Sequence, residues 1–290
     1  MSQTNVSNPL PIGQCATLAC IWEATAAKPG NVYRGADFED LTYVDFLNSA
    51  AVIGPILENT PQERVGRVVR DAVQATQQAV GTNTNLGILL LIAPLAAQGL
   101  GDEQIELERV LDSLTSDDTE NVYEAIRLAN PGGLGEVNSA DVNEKDVPKI
   151  TLVEAMELAA DRDLVARQYA NGFSEVHWLA DRIEEFYGGG DSLNDAIVRG
   201  FLELLGREPD SLIARKCGVE FARKVSARGA AVLKYHGQRS NEYQGALADL
   251  DFYLRSDGHR LNPGTSADMV AAALFVLLRD GRLRLPVRYY

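Results

Sequence analysis

Apolar residues return with helical spacing along almost the whole chain. Val65, Val68, Val69, Ala72, Val73, Thr76, Ala79 and Val80 fall on one face of a 3.6-residue repeat, the pattern of an amphipathic helix lying on a core. The same reading predicts helices near 12–27, 43–58, 61–80, 86–98, 102–114, 117–129, 151–170, 174–187, 191–206, 209–227, 240–256 and 266–280, and no convincing strand. Two of the starts carry cap chemistry. Thr60-Pro61-Gln62-Glu63 combines a Thr cap, a first-turn Pro and an acid three residues after the cap, and Thr151-Leu152-Val153-Glu154 repeats the capping-box logic. The segment from Ala267 is apolar nearly all round, through Met269, Val270, Leu274, Phe275 and Leu278, so it should be central, with Asp268 at its first turn. No fixed-period repeat and no linker is visible. The expectation is therefore an all-α protein, a single compact multi-helix domain over residues 1–290 with a buried central C-terminal helix.

The breaks between helices carry the polar chemistry. The densest is Lys28-Pro29-Gly30-Asn31-Val32-Tyr33-Arg34-Gly35-Ala36-Asp37-Phe38-Glu39-Asp40, which follows an apolar helix directly and sets cations, acids and permissive glycines together. The segment 130–148 is long for a connection inside a compact domain, which marks it as a candidate functional or mobile element.

Composition narrows the partners. A net charge of −14 over 290 residues argues against a general nucleic-acid or acidic-membrane surface, so a polyanionic ligand must meet a local basic pocket or a metal ion. Cys15, Cys20 and Cys217 are odd in number and widely split, which fits buried reduced thiols better than disulfides or a zinc site. The first residues, MSQTNVSNPLP, lack a basic stretch followed by an apolar one, and the longest apolar run, 86–97, is too short to span a bilayer and contains Pro94. A cytoplasmic protein is expected. The tail Arg282 to Tyr290 either covers a subunit interface or caps the core, which leaves a homo-oligomer open.

Four polar patches fall at helix ends: Lys28 to Asp40, Thr82 to Gly87, Pro131 to Asn138, and Asn262 to Asp268. Helix starts at Leu86 and Ser266 offer free backbone N–H groups to a phosphate or carboxylate, although Asn85, Thr265 or Ser266 could equally serve only as caps. Asp37 and Asp40 are three apart; in a helical turn they would share Mg²⁺, and otherwise Asp40 starts the next helix. Gly132, Gly133 and Gly135 form no dinucleotide fingerprint. His177, His236 and His259 lack metal-ligand spacing, and neither a GxSxG elbow nor an HExxH helix is present.

The ordered motifs carry a family resemblance. ACIWEATAAKPGNVYRGADFEDLTYVDFLNSA (19–50) resembles the N-terminal signature of the triphosphoribosyl-dephospho-CoA synthases. GTNTNLGILLLIAPLA (81–96), GGLGEV (132–137) and NPGTSADMVAAALF (262–275) are similar to that family's Asn-Thr segment, Gly-rich segment and C-terminal helix start. The resemblance implies an all-helical enzyme that moves the triphosphoribosyl group of ATP onto the ribose of dephospho-CoA and releases adenine, with small nucleotides as its partners. It further implies that Lys28 and Arg34 contact the triphosphate and that Asp37 and Asp40 hold Mg²⁺. Gly30, Asn31, Asn83, Asn85, Gly264 and Ser266 would shape the nucleotide and phosphate site, and Glu136, Asp268 and Asp37 would serve the chemistry as base or as stabilisers of the sugar cation. Two departures stand out. Asn85-Leu86 replaces a frequent His-Lys pair, and Asp210-Ser211-Leu212 is followed by Arg215-Lys216 where a His-Arg pair is common. They keep a further reading open, the same pocket acting on another cofactor precursor of a one-carbon pathway; the acidic surface and the absence of a recognisable catalytic dyad keep another, a non-catalytic helical binding protein.

Overall fold

The computed structural model describes residues 10–61, 64–101, 104–130, 149–236 and 241–290. Over these residues the chain forms fourteen helices and no sheet: α1 (Ile12–Thr25), α2 (Tyr43–Leu57), α3 (Val65–Val80), α4 (Leu86–Ala97), α5 (Leu107–Asp112), α6 (Ser116–Ala129), α7 (Leu152–Glu157), α8 (Leu164–Asn171), α9 (Ser174–Gly188), α10 (Leu193–Arg207), α11 (Ser211–Cys217), α12 (Val219–Leu233), α13 (Asn241–Arg255) and α14 (Gly264–Arg279). Two isolated bridges, Tyr33 with Ala36 and Phe38 with Leu41, only close tight turns in the loop after α1.

Helix α14 is the axis of the molecule, packed against α1, α4, α9, α10 and α11. Every residue of it is buried except Gly264 and Asp268. Helix α4 is buried likewise, with Gly87 as its single exception. Sequences without charge over three turns cannot face water profitably, so both helices are driven to the centre, and their few open positions lie close together at their N-terminal ends. Arg279, at the far end of α14, is buried but fully engaged: it donates to the carbonyl of Leu95 at 2.8 Å and to Gln98 at 2.7 Å, satisfying the C-terminus of α4.

The remaining helices wrap this pair. α1 crosses α2 at Gly13 and Gly54, where a Cβ on Gly13 would come within 2.3 Å of the Gly54 carbonyl oxygen. The tail caps the core: Tyr289 donates through its hydroxyl to the carbonyl of Trp22, and the carbonyls of Arg288 and Tyr289 accept from Leu193 and Asn194 at the start of α10.

Four expected elements differ; the helix expected over 102–114 is cut to α5, Leu107–Asp112. The helix expected over 61–80 begins at Val65, and the Thr60 hydroxyl donates back to Leu57 at the end of α2; Gln62 and Glu63 of the expected cap lie outside the described residues. The segment 151–170 is two helices, because Asp163 caps a new one by accepting from Val165 and Ala166, while the Thr151–Glu154 capping box forms as expected. The segment 209–227 breaks at Gly218, whose φ of 92° is open to glycine and strained for other residues.

Candidate active site

The ends of these helices enclose a cavity of about 920 Å³, at the upper part of the range of small-molecule sites, about 300–1,000 Å³. Its walls come from the C-terminal part of α1 and its loop (Glu23, Asn31, Asp40), the approach to α4 (Thr82 to Gly87), the end of α6, α7 and its turn (Met156, Arg162, Asp163), α11 (Leu212, Arg215, Lys216) and the start of α14 (Asn262, Gly264, Thr265, Asp268), with His259 beside it. Three of the four polar patches therefore converge. The fourth, with Glu136, lies outside the described residues.

Glu23 is the only charged residue of α1 and is 3% exposed, at the cavity wall. Behind it Lys28 is completely buried, with its ammonium 2.9 Å from the Glu23 carboxylate. The same ammonium donates to the backbone carbonyls of Glu23 and, at 3.4 Å, of Ala26. Three protons meet three acceptors, so Lys28 is committed to Glu23 and to the end of α1 and does not reach the cavity as a free cation. Burial pushes the Glu23 carboxyl upward, and Lys28 pulls it back.

Asp268 faces the same cavity and makes no hydrogen bond or ion pair among the described residues. Its carboxyl occupies the space that a side chain at position 87 would take: a Cβ on Gly87 would stand 2.1 Å from Asp268 Oδ2. Burial first, then the charges of Glu23 and Asp210, hold its carboxyl well above the usual carboxylate range. Arg215 opposes this from a distance and is itself paired with Asp163 at 2.6 Å.

Asp210 ties the start of α14 to α11. One carboxylate oxygen accepts from Leu212 and Ile213, capping α11; the other accepts from the Ser266 backbone N–H at 2.7 Å and hydroxyl at 2.8 Å. Ser266 is thus buried and occupied by Asp210, and its N–H is not a vacant anion site. Gly264 leaves room for Leu212, whose Cδ2 would lie 2.7 Å from an added Cβ.

The loop after α1 is dispersed rather than focused. Gly30, at φ 79°, donates to Asp251 of α13 at 2.7 Å, and Arg255 donates to the Asn31 carbonyl. The Asn31 side chain donates to Asn262 at 2.6 Å, while its own Oδ1 is buried with no partner among the described residues. Arg34 turns away from the cavity to a shallow hollow with Trp22, Tyr43 and Tyr289. Asp37 accepts from the Tyr43 backbone N–H at 2.6 Å, whereas Asp40 lies 3.1 Å from His259 at the cavity. The segment is not helical, so the two acids do not point the same way, and no cluster of three metal-ligating side chains occurs among the described residues. Asn83, not Asn85, caps α4 by accepting from Leu86 at 3.1 Å; Asn85 donates to Thr76 and lines the cavity.

Among the described residues, the Lys and Arg side chains that line the cavity are Arg162, Arg215 and Lys216. Burial lowers the Lys216 ammonium below its ordinary value, and its nearest bond is a long one to the His259 carbonyl, 3.5 Å. Glu23, Gly87, Arg162, Arg215 and Lys216 were not singled out as site residues from sequence. Glu23 had a signal, being a lone acid in an apolar helix; the two cations of α11 sat in view at one of the departures from the family pattern.

A family profile matches residues 9–286. The chain belongs to the CitG family, ATP:dephospho-CoA triphosphoribosyl transferase. A solved structure from Archaeoglobus fulgidus, proposed to be a triphosphoribosyl-dephospho-CoA synthase, is similar at 26% identity with a TM-score of 0.61, covering 81% of this chain and 99% of that chain. No match was found among curated proteins. Family membership makes the chain a transferase and supports transfer of the triphosphoribosyl group from ATP to dephospho-CoA; it does not favour the one-carbon or the non-catalytic reading. No helix among the described residues is long and apolar enough to cross a membrane.

Proposed function

We propose that this cavity is where the family reaction takes place, with the triphosphate of ATP against Arg162, Arg215 and Lys216 and the reacting sugar against Glu23 and Asp268. The observation that carries the reading is the lining of the cavity: in a chain of net charge −14 it brings together a group of cations, Arg162, Arg215 and Lys216, and a group of carboxyls, Glu23 and Asp268 with Asp40 and Asp163. A polyphosphate needs the first, and departure of adenine from C1′, which builds positive charge on the sugar, needs the second. Asn31, Asn85 and Gly264 would shape the wall around the nucleotide, while Lys28 serves by holding Glu23.

Mg²⁺ fits in a limited way. An ion bound through phosphate oxygens needs only one or two protein carboxylates, and Asp40, at the cavity, is the acid of the 37–40 pair placed to supply one. Such an ion would neutralise part of the triphosphate charge. The three free thiols, two of them buried, agree with a reducing, cytoplasmic compartment.

Incubation of the purified protein with ATP, Mg²⁺ and dephospho-CoA should release adenine, read by chromatography, in step with formation of the triphosphoribosylated product. No adenine with any divalent cation would overturn the reading.

A further inference from the structure

The geometry points to Glu23 and Asp268 as a base and acid pair that divides the two proton transfers of the reaction, Glu23 taking the proton of the attacking hydroxyl and Asp268 giving one to the departing adenine. The inference rests on the function proposed above and assigns the roles within it.

The asymmetry of the two carboxyls is the argument. Both line one cavity, and each is the only acid of its helix. Glu23 has a buried ammonium at 2.9 Å that has no other side chain to serve, so it is the one equipped to carry the negative charge. Asp268 has no such partner; the cation whose charge acts on it, Arg215, is bound to Asp163, and Asp210 adds a further negative charge. Two neighbouring carboxyls with one counterion retain one proton between them, and that proton belongs on the member without the counterion. The Cys20 thiol beside both is pushed further up by burial and stays protonated, so it does not compete as a base. The notch at Gly87 keeps the Asp268 carboxyl in place without using up its hydrogen-bonding capacity.

The step balances within this set. The hydroxyl oxygen of the acceptor ribose bonds to C1′ as the C1′–N9 bond breaks; the electron pair of that bond leaves with adenine. The hydroxyl proton passes to Glu23 and the proton taken up by adenine comes from Asp268. Return of one proton from Glu23 to Asp268 after product release restores the starting state.

The test is the pH dependence of adenine release, with two variants and a second donor. Wild type should show a bell-shaped kcat profile, rising as Glu23 ionises and falling as Asp268 ionises. Asp268→Asn should lose about 10²–10⁴-fold in kcat and the alkaline limb, and Glu23→Gln a similar factor and the acid limb. 7-Methyl-ATP, whose base departs neutral without taking up a proton, should restore much of the Asp268→Asn rate and none of the Glu23→Gln rate. Variants within about threefold of wild type, or an Asp268→Asn defect equally deep with both donors, would overturn the pairing. Should Glu23→Gln fail to fold, the wild-type profiles still decide: a missing limb with ATP, or an alkaline limb that persists with 7-methyl-ATP, rejects the inference. Wild type that releases no adenine from ATP rejects the parent function instead.

Discussion

Two short polar segments of this chain look alike in composition and end up in opposite roles. The loop 28–40 is the denser in charge, yet its lysine is sealed behind Glu23, its arginine faces an aromatic hollow, and one of its two aspartates serves the start of α2. The segment 210–217 looks like an ordinary short helix, yet Asp210 locks α11 to α14 and the next turn delivers Arg215 and Lys216 to the cavity. The difference teaches that a cation is available to a ligand only if its protons are not already spent. Lys28 has three acceptors within the protein, whereas Lys216 has one long contact.

The comparison can be broken most severely at Lys28. Replacing it by Met leaves Glu23 buried without its counterion, which should cost about 3–5 kcal/mol in a denaturant titration. A soluble, equally stable Lys28→Met protein with a raised KM for ATP would mean instead that the lysine is a phosphate ligand. Next in size, Lys216→Ala and Arg215→Ala should each raise the KM for ATP about 10- to 100-fold, the worth of a charge-assisted hydrogen bond to phosphate. Arg34→Ala should change that KM less than about twofold, and an effect as large as that of Lys216→Ala would reverse the assignment of the two segments.

The smallest effect concerns stability and pH. The folded Asp268 carboxyl lies above its unfolded value, so its contribution is fully present below the ordinary carboxylate pKa and is lost as pH rises through the elevated folded one. Asp268→Asn escapes that loss. Its Tm should exceed that of wild type by about 2 °C or more at neutral to alkaline pH, with the gap closing in acid. A gap that is constant with pH would show that the folded carboxyl titrates at its unfolded value.

The helical character of the chain was legible because periodicity of apolar residues reports directly on which face meets the core, and the central helix announced itself by its lack of charge. Boundaries were less legible where a single residue decides them: Asp163 and Gly218 each split an expected helix. In the site, Asp268, Asn31, Asn85, Gly264 and Asp40 were singled out and do line one cavity, because a polar residue inside an apolar or glycine-rich context is conspicuous. The pairing of Glu23 is not conspicuous in the sequence, since nothing local shows that the lysine five residues later turns back upon it.

By itself the sequence determined that the protein is helical, which helices are central, and to which family it belongs, because these depend on patterns along the chain. Only the tertiary structure decided the pairing of charges. Whether a lysine grips a substrate or anchors a glutamate, and whether a carboxyl at a helix start is capped or left open opposite a glycine, depends on the groups that packing brings within 3–4 Å. Those groups come from helices as far apart as α1, α4, α11 and α14.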